Sequence, residues 1–370
     1  MRTVALAAGP LLAIMALLAG CGTAADSAAP GAATLYVVVN GNNGGPPEVV
    51  PINTATDRTG RGIRVGKLPI AIALAPDGRT AYVANSGSDT VTPISTVTNH
   101  AWPAIKVGPS PSSFAFTRTG TTVYVSCLGV VTPVLTTART VGQPIQVGSQ
   151  YTGSFTSIAM APAADMAYVI GDYATAVIPI ELPSDIPGPV IRVGADPQFV
   201  DVTPDGRTAY VASYASSTIT PIDTATGTAG PPIAVGAGPV AIAITPDGTT
   251  AYVADLTAGT ITPIDIATET AEPPIRVAPE PGEIAITPDG KVAYVASAYA
   301  VTPVNLVTHT AGRPIKVGRG AVAIVMSPDG RTVYVASEGA GTVTPIDVAS
   351  NRAGRPIFVG WSPTSMVIKA

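Results

Sequence analysis

Charge is scarce in this chain: Asp, Glu, Lys and Arg make up only 12% of its 370 residues, and the formal net charge is −4. No run of Lys or Arg breaks that pattern, so the electrostatic footprint of a nucleic-acid-binding protein is missing. Two cysteines, Cys21 and Cys127, rule out a disulfide-rich scaffold. Two histidines, His100 and His309, offer no zinc-ligand spacing. Aromatic residues amount to 5%, while the apolar share of 46% is too high for a disordered chain. Glycine (38) and proline (37) are abundant, and both interrupt regular elements. Beyond residue 30 no segment free of both shows a 3.6-residue periodicity, so many short strands separated by turns are expected.

The first residues read differently. Arg2 precedes a short apolar stretch, Leu11 to Leu18, too brief for a membrane span. It ends in Leu18-Ala19-Gly20-Cys21, which resembles the lipobox of bacterial lipoproteins. The resemblance implies cleavage before Cys21 and lipid on its thiol; the other reading is an ordinary signal peptide with Cys21 incidental. Residues 1–21 are thus expected to be the export signal. Residues 22–34, rich in Ala, Gly, Ser and Pro, are expected to be a flexible tether, and residues 35–370 the folded domain. A lipidated Cys21 leaves Cys127 without a disulfide partner.

Beyond the tether the chain repeats. The tripeptides LYV, AYV and VYV place tyrosines at 36, 82, 124, 168, 210, 252, 294 and 334, spaced by 40 to 46 residues. Pro-Ile or Pro-Val recurs from 51, 93, 133, 179, 221, 263, 303 and 345. Val-Gly closes seven of eight units, with Val277-Ala278 in the remaining one. Pro-Asp-Gly turns mark five of the units, as at Pro246-Asp247-Gly248, where Pro fixes φ and Gly takes a positive one. One clean unit reads as strand A (240–244), strand B (251–254), strand C (260–264) and strand D (274–277), with Asp255 to Gly259 as the B–C turn and Asp265 to Pro273 as a polar link.

Four short strands per 40 to 46 residues is the spacing of a propeller blade. Segments such as Ala241 to Ile244 are apolar on both faces, as a sheet stacked between two neighbours requires. The expected fold is therefore all-β, a β-propeller of eight four-stranded blades. The phase of the repeat adds detail. The domain begins with a B strand at Leu35 to Val38 and ends with an A strand at Ser365 to Ile368. Pairing the last strand into the first blade closes the ring and covers both open edges. A seven-bladed ring with one degenerate unit is the alternative.

The segment Ala81-Tyr82-Val83-Ala84-Asn85, with Thr90-Val91, Ile94, Val107-Gly108 and the Pro-Asp-Gly turns, resembles the YVTN repeat of bacterial and archaeal β-propellers. That superfamily includes lactonase-like propellers and bacterial cell-surface proteins. The resemblance covers about residues 35–370 and concerns scaffold residues. Two features depart from it: such propellers are usually seven-bladed, and here every unit carries a proline in strand C. Proline has no N–H for a ladder bond, so each is expected to face a bulge or point away from the neighbouring strand.

In a propeller the D–A and B–C loops share one face, and in this chain they vary most between copies. The candidate ligand-binding residues there are Tyr151, Tyr173, Asp196, Tyr214, Asp255, Glu280, Tyr299, Arg319 and Trp361. Cys127, where sister copies have Asn85, Ser213 or Asp255, is expected to be a mildly exposed thiol with no histidine in reach. His100 and His309 fall in C–D links on the opposite face. The repeated Tyr is read as inter-blade packing with its hydroxyl on an edge or backbone acceptor. No catalytic residue, metal ligand or cofactor motif stands out, and no cofactor is expected. The expected function is a monomeric, membrane-anchored envelope lipoprotein that binds an envelope protein, peptide or glycan. A lactonase-like or other hydrolase using top-face carboxylates such as Asp172, Asp196, Asp255 and Glu280 is the alternative.

Overall fold

The computed structural model describes residues 33–41, 45–147, 155–161, 163, 165–171 and 175–370. The export signal, Cys21, Tyr151, Asp172 and Tyr173 lie outside them. Eight antiparallel sheets form, each following the order A-B-C-D, and among the described residues there is no helix. Blade 2 is typical, with A at Pro69–Leu74, B at Thr80–Asn85 and C at Thr90–Ser95. Adjacent A strands converge along the ring's inner side. The protein is an eight-bladed β-propeller.

The ring closes as the repeat phase implies. The C-terminal strand Pro363–Lys369 pairs antiparallel with the first strand, Thr34–Val39, in the register Tyr36↔Val367 and Val37↔Met366. Both faces of this composite blade are buried. Leu35, Val37 and Ile368 pack on Tyr334 and Ala336 of blade 8. Tyr36, Val38 and Val367 pack on Ile72 and Val83 of blade 2. Burying each such side chain stabilises the fold by about 1.5–3 kcal/mol.

The strand-C prolines have a shared explanation. Each stands directly opposite the repeated tyrosine of strand B, from Tyr36↔Pro51 through Tyr334↔Pro345. A strand residue's N and C=O point the same way, and each proline C=O accepts an amide from the D side, as from Gly60, Trp102 and Gly354. The missing N–H therefore faces strand D, and there strand D is interrupted. It forms two short pieces, such as Thr270–Ala271 and Ile275–Arg276, both paired with the same C strand. The expected single D strand and polar link at 265–277 is corrected accordingly: the link already contains the first half of D. At the break the chain comes close to the ring, and a Cβ on Gly230 would stand 3.0 Å from Pro221 Cγ. Six units carry glycine at this position.

In six blades the repeated tyrosine's hydroxyl binds the next blade. Tyr36 Oη donates to the C=O of Thr96 (3.1 Å) and to Asn99 Oδ1 (2.7 Å) in the C–D turn of blade 2. Tyr124 Oη reaches Asp185 Oδ1 at 2.6 Å, and Tyr294 Oη reaches Asn351 Oδ1 at 2.7 Å. Burial pushes the Tyr36 and Tyr294 phenols up to about 12. Tyr210 breaks the pattern, because its buried hydroxyl has no partner. The equivalent turn residue of blade 6 is Glu269, whose carboxylate lies instead beside Gly230 of blade 5.

Candidate functional site

The D–A and B–C loops meet on one face, knitted by backbone. The D–A carbonyls of Leu68, Asp196, Gly238, Gly320 and Ser362 accept the amides of Ser86, Tyr214, Leu256, Glu338 and Asn40 at 2.7–3.0 Å. The accepting residue has a left-handed backbone in each case, with φ between 47° and 69°. That conformation is costly for Leu68 and for Glu280 (φ 57°), so the surrounding ladder must hold it. The side chains of this face are thus displayed from fixed backbone.

Of the nine residues expected there, Tyr151 and Tyr173 lie outside the described set. Glu280, Tyr299, Arg319 and Trp361 are exposed. Asp196 is half-buried and accepts from Gln198 Nε2 at 2.7 Å. Tyr214 is half-buried too: its ring covers Gly238, and its hydroxyl sits 3.2 Å from Thr257 Oγ1 in the next blade.

Asp255 requires correction, because it is fully buried. Strand B runs one residue beyond the apolar Ala-Tyr-Val-Ala core, over Thr250–Asp255, and period-two alternation places Asp255 on the face of Ala251 and Val253. Its Oδ2 accepts from Thr260 Oγ1 (2.8 Å) and Thr262 Oγ1 (2.6 Å), while Oδ1 has no partner. Burial raises its carboxyl from 3.8 to about 6, against the pull of the two hydroxyls and of the Gly236 amide. Asn85 does the same bracing in blade 2, with the Gly66 amide on its Oδ1 and its Nδ2 on Thr90 and Thr92. Cys127 shares the position and is likewise fully buried, not mildly exposed, so desolvation pushes its thiol up to about 12. This position serves the fold.

Three large aromatic side chains are exposed among the described residues: Tyr299, Phe358 and Trp361. They occupy one arc, in blade 7, blade 8 and the loop leading into the closing strand. Glu280, Arg319 and Glu338 lie on the same arc. Phe358 and Trp361 pack edge to face with centroids 6.1 Å apart. Phe358 escaped the sequence reading, although a signal existed. Its position in the second half of strand D holds Arg64, Lys106, Gln146, Arg192, Ala234, Arg276 and Lys316 in the other blades.

Asp172 lies outside the described residues, and the other three carboxylates do not assemble into a hydrolytic pair. Asp196 and Glu280 stand in loops two blades apart, and Asp255 is sealed inside. Among the described residues no group of three or more His, Cys, Asp or Glu is arranged to hold a metal ion. On the opposite face His309 Nδ1 lies 3.0 Å from Glu272 Oε2, and Nε2 lies 3.4 Å from Tyr252 Oη, across the junction of blades 6 and 7.

No protein-family model matches the chain, and no curated protein matches it. Solved structures do. The dihydro-heme d1 dehydrogenase NirN, in complex with DHE, aligns with TM-score 0.79 over 95% of this chain and 78% of its own, at 14% identity. AztD of Citrobacter koseri gives 0.70 over 91% and 97%, at 12% identity. Hydrazine synthase of Kuenenia stuttgartiensis gives 0.61 over 76% and 96%, at 21% identity. Likeness at these identities establishes the propeller architecture alone, and the neighbours differ in function.

Proposed function

We propose that the protein is an exported, lipid-anchored propeller that acts as a binding scaffold at the cell envelope, presenting the face of its D–A and B–C loops to a ligand. The observation that carries this reading is the gathering of Tyr299, Phe358 and Trp361, with Glu280, Arg319 and Glu338, on one arc of a rigid face. Exposed aromatics on a firm backbone are the usual raw material of recognition surfaces. The placement of the N-terminal strand supports the same orientation. Ala33 accepts from the Thr54 amide and hydroxyl, on the face of the C–D turns. A lipid on Cys21 would therefore tether the molecule by the opposite face and leave the aromatic arc pointing outward. Several acyl chains would give a firm anchor, at about 0.8 kcal/mol per buried CH₂.

Metabolic labelling with an alkyne fatty acid tests the anchor. Label is expected on the wild-type chain and not on Cys21→Ala; equal labelling of both would refute it. Photo-crosslinkers placed at Tyr299 and at Arg207 on the opposite face test the orientation. Adducts from envelope material are expected at position 299 only, and their absence there would overturn the scaffold reading.

A further inference from the structure

Four side chains of the arc form one cluster around the B–C turn of blade 8. Trp361 stands on the edge of Phe358, so the indole is held upright while nearly half exposed. The next residue, Ser362, donates its hydroxyl to Glu338 Oε1 at 3.5 Å. Beside Glu338, the Gly339 amide donates to the Arg319 carbonyl at 3.0 Å, and the Arg319 stem lies over Gly339. Arg319 takes part in none of the ion pairs among the described residues. The adjoining turns are built of small residues, Gly320 beside Arg319 and Gly339, Ala340 and Gly341 after Glu338, and Gly341 lies against Phe358. The result is an exposed indole on a turn that is joined through Ser362 to Glu338, whose neighbour Gly339 carries the Arg319 stem.

We propose that this cluster is a saccharide subsite, an inference that rests on the reading of this face as ligand-binding and names the ligand class. Guanidinium only donates hydrogen bonds and carboxylate only accepts them. An anionic ligand would satisfy Arg319 and be repelled by Glu338; an amine would do the reverse. A neutral ring bearing neighbouring hydroxyls satisfies both, since each hydroxyl donates and accepts. The C–H face of such a ring lies flat on an exposed indole.

Trp102 and Trp361 are the chain's two tryptophans, so Trp102→Phe leaves Trp361 as the sole reporter. In that background the emission of Trp361 is followed while cellotetraose, maltotetraose or chitotetraose is added, up to about 10 mM, a range in which weak binding at shallow sites registers. A saturable change with at least one sugar is expected. Arg319→Met and Glu338→Gln should each weaken it about tenfold, the loss of one charge-assisted hydrogen bond. Calorimetry on Trp361→Ala, whose exposed side chain leaves the melting transition in place, should show binding abolished. The proposal is overturned by no saturable response to any of the three sugars, by a response unaltered in the Arg319→Met, Glu338→Gln double variant, or by saturation with a Phe-rich tetrapeptide in place of the sugars. In each of these cases crosslinking from position 299 still decides the broader scaffold reading.

Discussion

Asp255→Asn is expected to stabilise the protein at neutral pH and to leave it unchanged in acid. The carboxylate is sealed between blades 5 and 6, with two threonine hydroxyls on Oδ2 and nothing on Oδ1. An amide could adopt the arrangement of Asn85, with Oδ1 accepting the loop glycine amide, here Gly236, and Nδ2 donating to strand-C threonines. The sign follows from proton linkage. Burial raises the folded carboxyl from 3.8 to about 6, so the native state prefers the protonated form. Its contribution is fully present below 3.8 and is lost as pH rises through 6. A gap of roughly two units at 1.36 kcal/mol each makes the loss about 3 kcal/mol. An asparagine side chain carries no charge and escapes it. Guanidinium unfolding of wild type and variant at pH 4.5 and pH 7.5 should show an advantage for Asp255→Asn that approaches 3 kcal/mol at the higher pH and shrinks at the lower. A variant less stable than wild type at pH 7.5, or a difference independent of pH, would refute the argument.

The remaining expectations concern the scaffold. Tyr36→Phe should cost about 1 kcal/mol in denaturant unfolding because it deletes a bond to the next blade, whereas Tyr210→Phe should cost nothing or stabilise, its hydroxyl being buried without a partner. Asp201 lies buried on the inner strand of blade 5, where desolvation raises its carboxyl to about 7. By the same sign, stability should fall between pH 4 and 7, and Asp201→Asn should flatten that slope in a melting-temperature series. Deleting residues 363–370 removes Met366, Val367 and Ile368 from two interfaces at roughly 5–8 kcal/mol, comparable with the whole stability of a domain. The truncated chain should be digested by protease under conditions in which the full chain survives; equal resistance would contradict the closure.

Much of the fold was legible because scaffold residues repeat. The tyrosine spacing gave the number of blades, the phase of the first and last strands gave the seal, and eight prolines in strand C pointed to an irregular neighbour, which the split D strand supplies. The site was less legible. A residue's place in a loop says little about its exposure when the strand continues past its apolar core, as at Asp255 and Cys127. Exposure at Phe358 follows from its place on a two-residue outer strand, whose shortness local composition did not reveal. The contacts of Ser362 with Glu338 and of Arg319 with Gly339 join residues 24 and 20 apart in the chain, which only the folded blades bring side by side.

The seam between Thr34–Val39 and Pro363–Lys369 also sets a schedule for the molecule's birth. The first sheet stays unfinished, with a bare flank, until the final seven-residue stave has left the ribosome. Seven contiguous blades can form along the way from nearby segments, and only the last docking event spans the full length of the domain. Without this strand the seven contiguous blades would still be whole, but the ring would stay unsealed.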